Sequence, residues 1–460
     1  MTSPAIFISF SLSRGLGLNP EDLARRVISE ALRLGATDAV AEIYVGRERR
    51  IKFANNEIIV SEDRDESGVD IFAAVRERRA VISVDGLNVK RVMDAVRQAV
   101  QLARLSEPAE VYAPLPRGPF KYDERLLKAE KIRGDPERLV DAVEAAVNAA
   151  LAEGAKRAAG TLIYSSGRSW LETSGGASGA CEKTSIEISI RAFASEDSSG
   201  QFVSIAAREG GFRPEEAGRI AGEHARLAVN PVEVEPRAYE CLLGPMTFAN
   251  LIEEAGVSAS AFHVDSGLSF LTEKLGEEVA SKTLTLVDDP TIPGTYGARP
   301  FDDEGVPTRK TVIVEEGVLK TYLHNSTTAK KFNAETTANA GLIVPQPFNL
   351  IVQGGGVSLE KLISDIDDGI YVTNDWYLRY QNHRTGDFST VPRDAILRIR
   401  KGGVDGAVKN IRISDNILRI LKNIRRLGER RYWVSWWEVE TPVYAPHALI
   451  SEVNFTKPTH

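Results

Sequence analysis

The hydrophobic pattern changes period twice in the first hundred residues, and this restricts the fold more than any other feature of the chain. Asn19-Pro20-Glu21 reads as a helix start, with Asn as cap, Pro at the first position and Glu facing the positive helix end. Leu23, Val27, Leu32 and Leu34 supply its buried side, and Gly35 ends it. Short alternating runs follow at Ala41–Val45, Ile51–Phe53, Ile58–Val60, Val69–Val75 and Ala80–Val84, with Asn55-Asn56 as a hairpin turn. A second helical stripe, Val89, Val92, Ala95, Val96, Ala99 and Leu102, closes the unit. Helix, antiparallel hairpins, helix is an α+β module and not a dinucleotide-binding fold, which alternates strand and helix.

The chain then divides. Pro108, Pro114, Pro116 and Pro119 make residues 106–122 an extended connector. A helix over 136–153, strands over 161–172 and 184–195 and a helix from Pro214 to about Val229 follow, with the glycine loop 175–179 between the strands. Asn230–Pro236, with two prolines, is the best domain boundary. The reading is therefore an N-terminal extension (1–18), an N-terminal α+β region with an antiparallel sheet (19–235) and a β-rich, barrel-like C-terminal domain (236–460). Many short strands in that last part suggest the barrel or curled sheet, interrupted by a helix over 246–258 and a short one near Thr327–Phe332.

Composition narrows the function classes. Lys and Arg number 57 against 64 Asp and Glu, a net charge of −7, which argues against a nucleic-acid surface over the whole chain. Cys181 and Cys241 form no CxxC pair and read as core thiols of a reducing, cytoplasmic setting. The apolar run at 5–12 is too short to span a bilayer.

Chemistry-bearing motifs are sparse. The helix over 246–258 has an apolar stripe, Phe248, Leu251, Ile252 and Ala255, and two mid-helix carboxylates, Glu253 and Glu254. A zinc helix needs two imidazoles one turn apart with a glutamate between them, and no histidine follows these glutamates within helical reach. Taken as ordinary residues, the two glutamates are exposed helix formers. His224, His263, His324, His383, His447 and His460 are never three or four apart, so no helix presents two of them to one metal. They read as isolated surface or hydrogen-bonded histidines, and a site assembled from separate loops stays open. Asp288-Asp289-Pro290 and Phe301-Asp-Asp-Glu-Gly305 offer oxygen ligands for a hard cation, but equally ordinary turn chemistry. Thr385-Gly-Asp-Phe-Ser389 lines a pocket or closes a hairpin. The segment from Lys409 to Trp437, rich in Arg and Trp, suits either a single-stranded nucleic acid or a well-anchored strand at an interface, and the acidic whole favours the second.

Several of these segments together resemble the TldD/PmbA family of peptidase-associated proteins, from about residue 20 to the end. The resemblance rests on Lys52-Phe-Ala-Asn-Asn-Glu-Ile58 with Ser67-Gly-Val69, then Phe301-Asp-Asp-Glu-Gly-Val-Pro307 and Glu316-Gly-Val-Leu319 with Tyr322-Leu323. Thr385-Gly-Asp-Phe-Ser389 and Ile411-Arg-Ile-Ser-Asp-Asn-Ile-Leu418 complete it. It implies two branches. One carries a histidine–glutamate…histidine helix and a cysteine ligand; the other, PmbA or TldE, lacks them and forms a heterodimer with the first. Here the ligand places fall near Glu253, Glu254 and Ser258, and the cysteine place around Val434–Trp436, so the chain resembles the PmbA/TldE branch.

The resemblance implies a non-catalytic subunit of a zinc metalloprotease complex that cleaves unfolded or modified peptides. No metal or other cofactor is then expected in this chain, and zinc is expected in a TldD-like partner subunit. A homodimer is expected in that partner's absence, with no membrane association. Asp302, Asp303, Glu304, Asp387 and Phe388 are the candidates for lining the peptide channel. Two other readings stand beside it. One is a stand-alone metal-dependent peptidase using Glu253 or Glu254 as base. The other is a single-strand nucleic-acid binder through Arg425 and Arg426.

Overall fold

The computed structural model describes residues 19–457, so the expected extension over 1–18 lies outside the described residues. The first sheet is built from β1 (Asp38–Ala54), β2 (Glu57–Val75), β3 (Arg78–Asp85), β4 (Arg157–Thr173), β5 (Ser178–Phe193) and β6 (Ser199–Ala206). All neighbours are antiparallel, in the order β3-β2-β1-β4-β5-β6. Four helices cover one face: α1 (Pro20–Arg33), α2 (Val89–Leu105), α4 (Pro136–Ala152) and α5 (Pro214–Leu227), with a single turn, α3 (Glu124–Leu127), in the connector.

Caps set the helix starts as the sequence indicates. Asn19 accepts from the Glu21 amide, and Asp135 does the same for Arg138. Asn55 and Asn56 both adopt left-handed φ in the β1–β2 turn, the conformation a tight hairpin needs.

Three expectations need correction. The short runs between residues 41 and 75 belong to two long strands of 17 and 19 residues. Charged residues carry the hairpin where apolar alternation fails: Arg47 and Arg49 both bind Asp63 across the strands. β6 had no alternating signal because nearly all of it is buried. Leu32 and Leu102, expected inside, are 43% and 49% exposed.

α4 and α5 cross closely because glycine permits it. A Cβ on Gly218 would stand 2.0 Å from the Ala146 carbonyl, and one on Gly222 would stand 2.5 Å from that of Ala150.

The second sheet begins within Asn230–Pro236, at a two-residue strand, and mixes parallel and antiparallel pairs. Its strands are β7 (Val232–Glu233), β8 (Ala238–Leu243), β9 (Thr285–Asp288), β10 (Thr311–Glu315), β11 (Val318–Leu319) and β12 (Leu350–Gln353). Then come β13 (Asp368–Asn382), β14 (Asp387–Arg400), β15 (Gly403–Lys409), β16 (Arg412–Asn416), β17 (Ile424–Trp436) and β18 (Val439–Thr456). β8 pairs with β13, β13 with β14, β14 with β16, β16 with β18 and β18 with β8, so five strands close on themselves in the barrel-like form expected. α6 (Pro245–Ser258) packs on β13 and β18 of this ring. One hydrophobic cluster runs from Leu162 and Ile190 of the first sheet through Phe248 of α6 to Ile450 of β18. Among the described residues, no helix is long and apolar enough to cross a membrane.

Candidate functional site

α6 starts with Pro245 at its first position and is buried on all sides rather than on one stripe. That corrects the amphipathic reading of this helix and, with it, the view of Glu253 and Glu254 as exposed helix formers. Glu253 is 8% exposed and accepts from the Thr441 amide of β18. Burial pushes its carboxyl up to about 8 and raises that of Glu254 as well.

Around them stand groups contributed by neighbouring strands. Asp375 of β13 is fully buried and accepts from Asn250 of α6 (3.2 Å) and from the Thr390 hydroxyl (2.7 Å). Burial, with the nearby Glu438 carboxylate second among the raising causes, lifts Asp375 to about 7. Glu438, in the β17–β18 turn, accepts from the amides of Tyr377 (2.8 Å) and Leu378 (3.3 Å). This holds the β13 bulge, where Tyr377 takes a φ of 60°. Tyr380 completes the group: its hydroxyl lies near Glu254 and Ser258 without meeting either in bonding geometry.

These carboxyls do not fit a zinc ion. A zinc site of the helical kind takes imidazole donors one turn apart, and α6 offers neither imidazole nor thiolate. The α6 positions near which the resemblance places the ligand residues hold Glu253, Glu254 and Ser258, and Glu253 already accepts a backbone N–H. Among the described residues, no three His, Cys, Asp or Glu side chains come together in a metal-holding arrangement.

The five channel candidates fall in two places. Asp302 is fully buried and organises its own loop: one oxygen accepts from the Glu304 (3.0 Å) and Val306 (2.9 Å) amides, the other from Ala340 (3.0 Å). Its carboxyl is pushed up to about 8 by burial and then by Glu304. Glu304 accepts from the amide (3.0 Å) and hydroxyl (2.6 Å) of Ser326, the first residue of α8 (Ser326–Phe332, preceded by α7, Ala261–Asp265). Asp303 pairs with Arg299 at 2.6 Å, beside Glu42 of the first sheet. The loop is a clasp between the two sheets. Tyr122 donates to the Gly305 carbonyl at 2.9 Å and packs on Phe301, and Gly305 stands over Ala177. Asp303 and Glu304 face a small cavity with Arg79, Tyr112, Asn325 and Thr327.

Phe388 is 1% exposed and belongs to the core, so it faces no open space. Asp387 does. It accepts from Asn416 (2.9 Å) and Thr385 (2.6 Å), which hold its carboxyl below the usual range. It borders an open groove with Gln381, Ser414, Asn416 and Asn454.

The remaining motifs resolve into structure. Asp288 is fully buried and accepts from the amides of Phe348 (2.9 Å) and Asn349 (2.6 Å), and from Asn339 at 2.6 Å. Four cations of the basic segment are paired: Arg425 with Glu240, Arg426 with Asp365, Arg430 with Glu216 and Arg419 with Asp415. These four anchor β17 and the short helix Ile417–Lys422 before it. His224 and His447 come together around Tyr371, whose hydroxyl lies 3.0 Å from His447 Nε2, and burial pushes the two imidazoles down to about 3 and about 4. Sequence reasoning missed Asp375, Tyr380 and Glu438. The available signal was Asn374-Asp375 inside the otherwise apolar run from Ile370 to Leu378.

Family models described as the PmbA/TldA metallopeptidase central domain and C-terminal domain match residues 128–229 and 236–457. A protein named metalloprotease from Methanothermobacter thermautotrophicus is 33% identical over 259 residues, 54% of this chain and 56% of its own length. Another from Archaeoglobus fulgidus is 34% identical over 209 residues, 42% of this chain and 48% of its own. The chain thus spans about half the length of these curated relatives. The crystal structure of TldE from Thermococcus kodakarensis has the same fold, with a TM-score of 0.79 at 22% identity, covering 94% of this chain and all of that one.

Proposed function

The chain belongs to the PmbA/TldD metallopeptidase family, and from that premise we propose that it is the non-catalytic subunit of a zinc metalloprotease complex. One observation carries the reading. Where the resemblance puts metal ligands, α6 carries Glu253, Glu254 and Ser258, and burial raises both of its carboxyls. In this reading the helix keeps its place in the fold while the metal chemistry belongs to the partner.

In this reading a like-folded partner holds the zinc and cuts the peptide. This chain closes the chamber and helps to hold an extended substrate. The groove beside Asp387 suits that task, because an ionised carboxylate and the amides of Gln381 and Asn454 offer hydrogen bonds to a peptide backbone. The setting is cytoplasmic, consistent with two unpaired thiols.

Metal analysis by mass spectrometry tests the proposal, on untagged chain alone and after co-expression with a zinc-branch relative. The expected result is zinc only in the complex, at about one per heterodimer. A stoichiometric metal that stays with the chain alone through dialysis would overturn it.

A further inference from the structure

The groove beside Asp387 has a volume of about 520 Å³, within the range of small-ligand sites. Each strand of the closed ring gives it a residue: Ala238 of β8, Gln381 of β13, Asp387 of β14, Asn416 of β16 and Asn454 of β18. Such convergence of strands is a common setting for ligand binding.

The charges in the groove do not cancel. Asp387, Asp415 and Glu452 face a single guanidinium, that of Arg419. Arg419 is committed to Asp415, bonding one oxygen at 2.8 Å and the other as well, and it reaches Glu452 at 3.4 Å. Asp415 also accepts from the amides of Asn416 (2.6 Å) and Asn454 (2.7 Å), so both of its oxygens are engaged. Asp387 has no such counter-charge. Among the described residues its carboxylate takes side-chain bonds from neutral donors, Asn416 and Thr385, which fix its direction and favour its ionised form. Arg412, on the neighbouring strand, turns instead to the Ser389 hydroxyl at 2.7 Å. The Asn454 amide nitrogen donates to the Ser414 carbonyl at 2.9 Å, which leaves its oxygen as a further acceptor.

We propose that this groove takes the cationic group of a bound peptide, a lysine or arginine side chain or the free amino terminus, with Asp387 as its counter-charge. An ammonium or guanidinium group carries donors and no acceptor, the complement of a carboxylate flanked by amide oxygens. Hydrogen bonds between charged partners are also the stronger ones. A neutral side chain would leave Asp387 uncompensated, and an acidic one would be repelled. The inference rests on the reading of this chain as the substrate-holding subunit and adds the class of residue it selects.

The test titrates the full chain with dye-labelled peptides at low salt, read by fluorescence anisotropy. The probes are end-blocked heptapeptides of glycine and serine with a central lysine, arginine, glutamine or glutamate, and the glutamine peptide with its amino terminus free. The lysine and arginine peptides should bind about fivefold more tightly than the blocked glutamine peptide, and the glutamate peptide least. The same gain carried by the free amino terminus alone would keep the site and assign it to the end of the peptide. D387N should abolish the gain. Q381K, at an exposed position, supplies a cation from the chain itself and should abolish it too, so the question is still decided if D387N fails to fold. Equal affinities for cationic and neutral peptides, a preference that survives both substitutions, or no binding of any peptide at millimolar concentration would overturn the proposal. Zinc confined to the complex together with equal affinities would overturn this charge preference and leave the subunit reading standing.

Discussion

Glu253→Gln should stabilise this protein, and more so as the pH rises. The amide keeps an oxygen for the Thr441 N–H but cannot ionise. The carboxyl has an ordinary value of 4.5 and is lifted to about 8 by burial. The unfolded chain therefore releases this proton near 4.5, while the folded chain holds it to about 8. Below 4.5 the burial costs nothing in ionisation, and the penalty grows through the window up to 8. At pH 7 it amounts to about 3 kcal/mol, and at pH 5 to less than about 1 kcal/mol. For a C-terminal unit of this size, about 2 °C per kcal/mol gives a melting temperature about 6 °C higher for the variant at pH 7. Thermal melts of both proteins at pH 5, 6, 7 and 8 measure the difference, which should widen steadily with pH. A difference that does not change with pH, or a variant less stable throughout, would mean that Glu253 is ionised in place, and the reasoning about the site would fail.

Three further outcomes follow from the same structure. His224 and His447 should add an acid-destabilising slope between about pH 6.5 and 3, opposed by the gain from buried carboxyls such as Glu253, because the two imidazoles are buried neutral while the unfolded chain protonates them. In a melting series His447→Gln should flatten part of that slope. Gly218→Ala should destabilise by about 2–3 kcal/mol, since its methyl would strike the Ala146 carbonyl of α4, and chemical denaturation would show a normal curve if the helices can separate freely. Arg425→Ala with Arg426→Ala should cost less than about 1 kcal/mol, because both pairs are partly exposed. In a titration with a labelled single-stranded oligonucleotide near physiological salt, the unaltered chain should show no binding for these substitutions to remove.

Local signals in the sequence determined much of the architecture. Asn19-Pro20 and Asp135-Pro136 cap their helices, and Asn55-Asn56 makes its hairpin, because each acts on backbone groups within a few residues. The absence of histidine from α6 was equally legible, since a helix presents fixed neighbours at fixed spacing. Tertiary packing decided the rest. The β1–β2 hairpin runs unbroken because Arg47 and Arg49 meet Asp63, which alternation of apolar residues does not register. Asp302 and Glu304 look like ligands or channel residues in one dimension, but backbone amides from distant loops claim their oxygens. Glu253 and Glu254 become buried acids because β13 and β18 close around a helix that would otherwise face water. Hydrogen bonding along the chain is fixed by nearest neighbours, whereas burial, and with it the protonation of a carboxyl, depends on which distant strands enclose it.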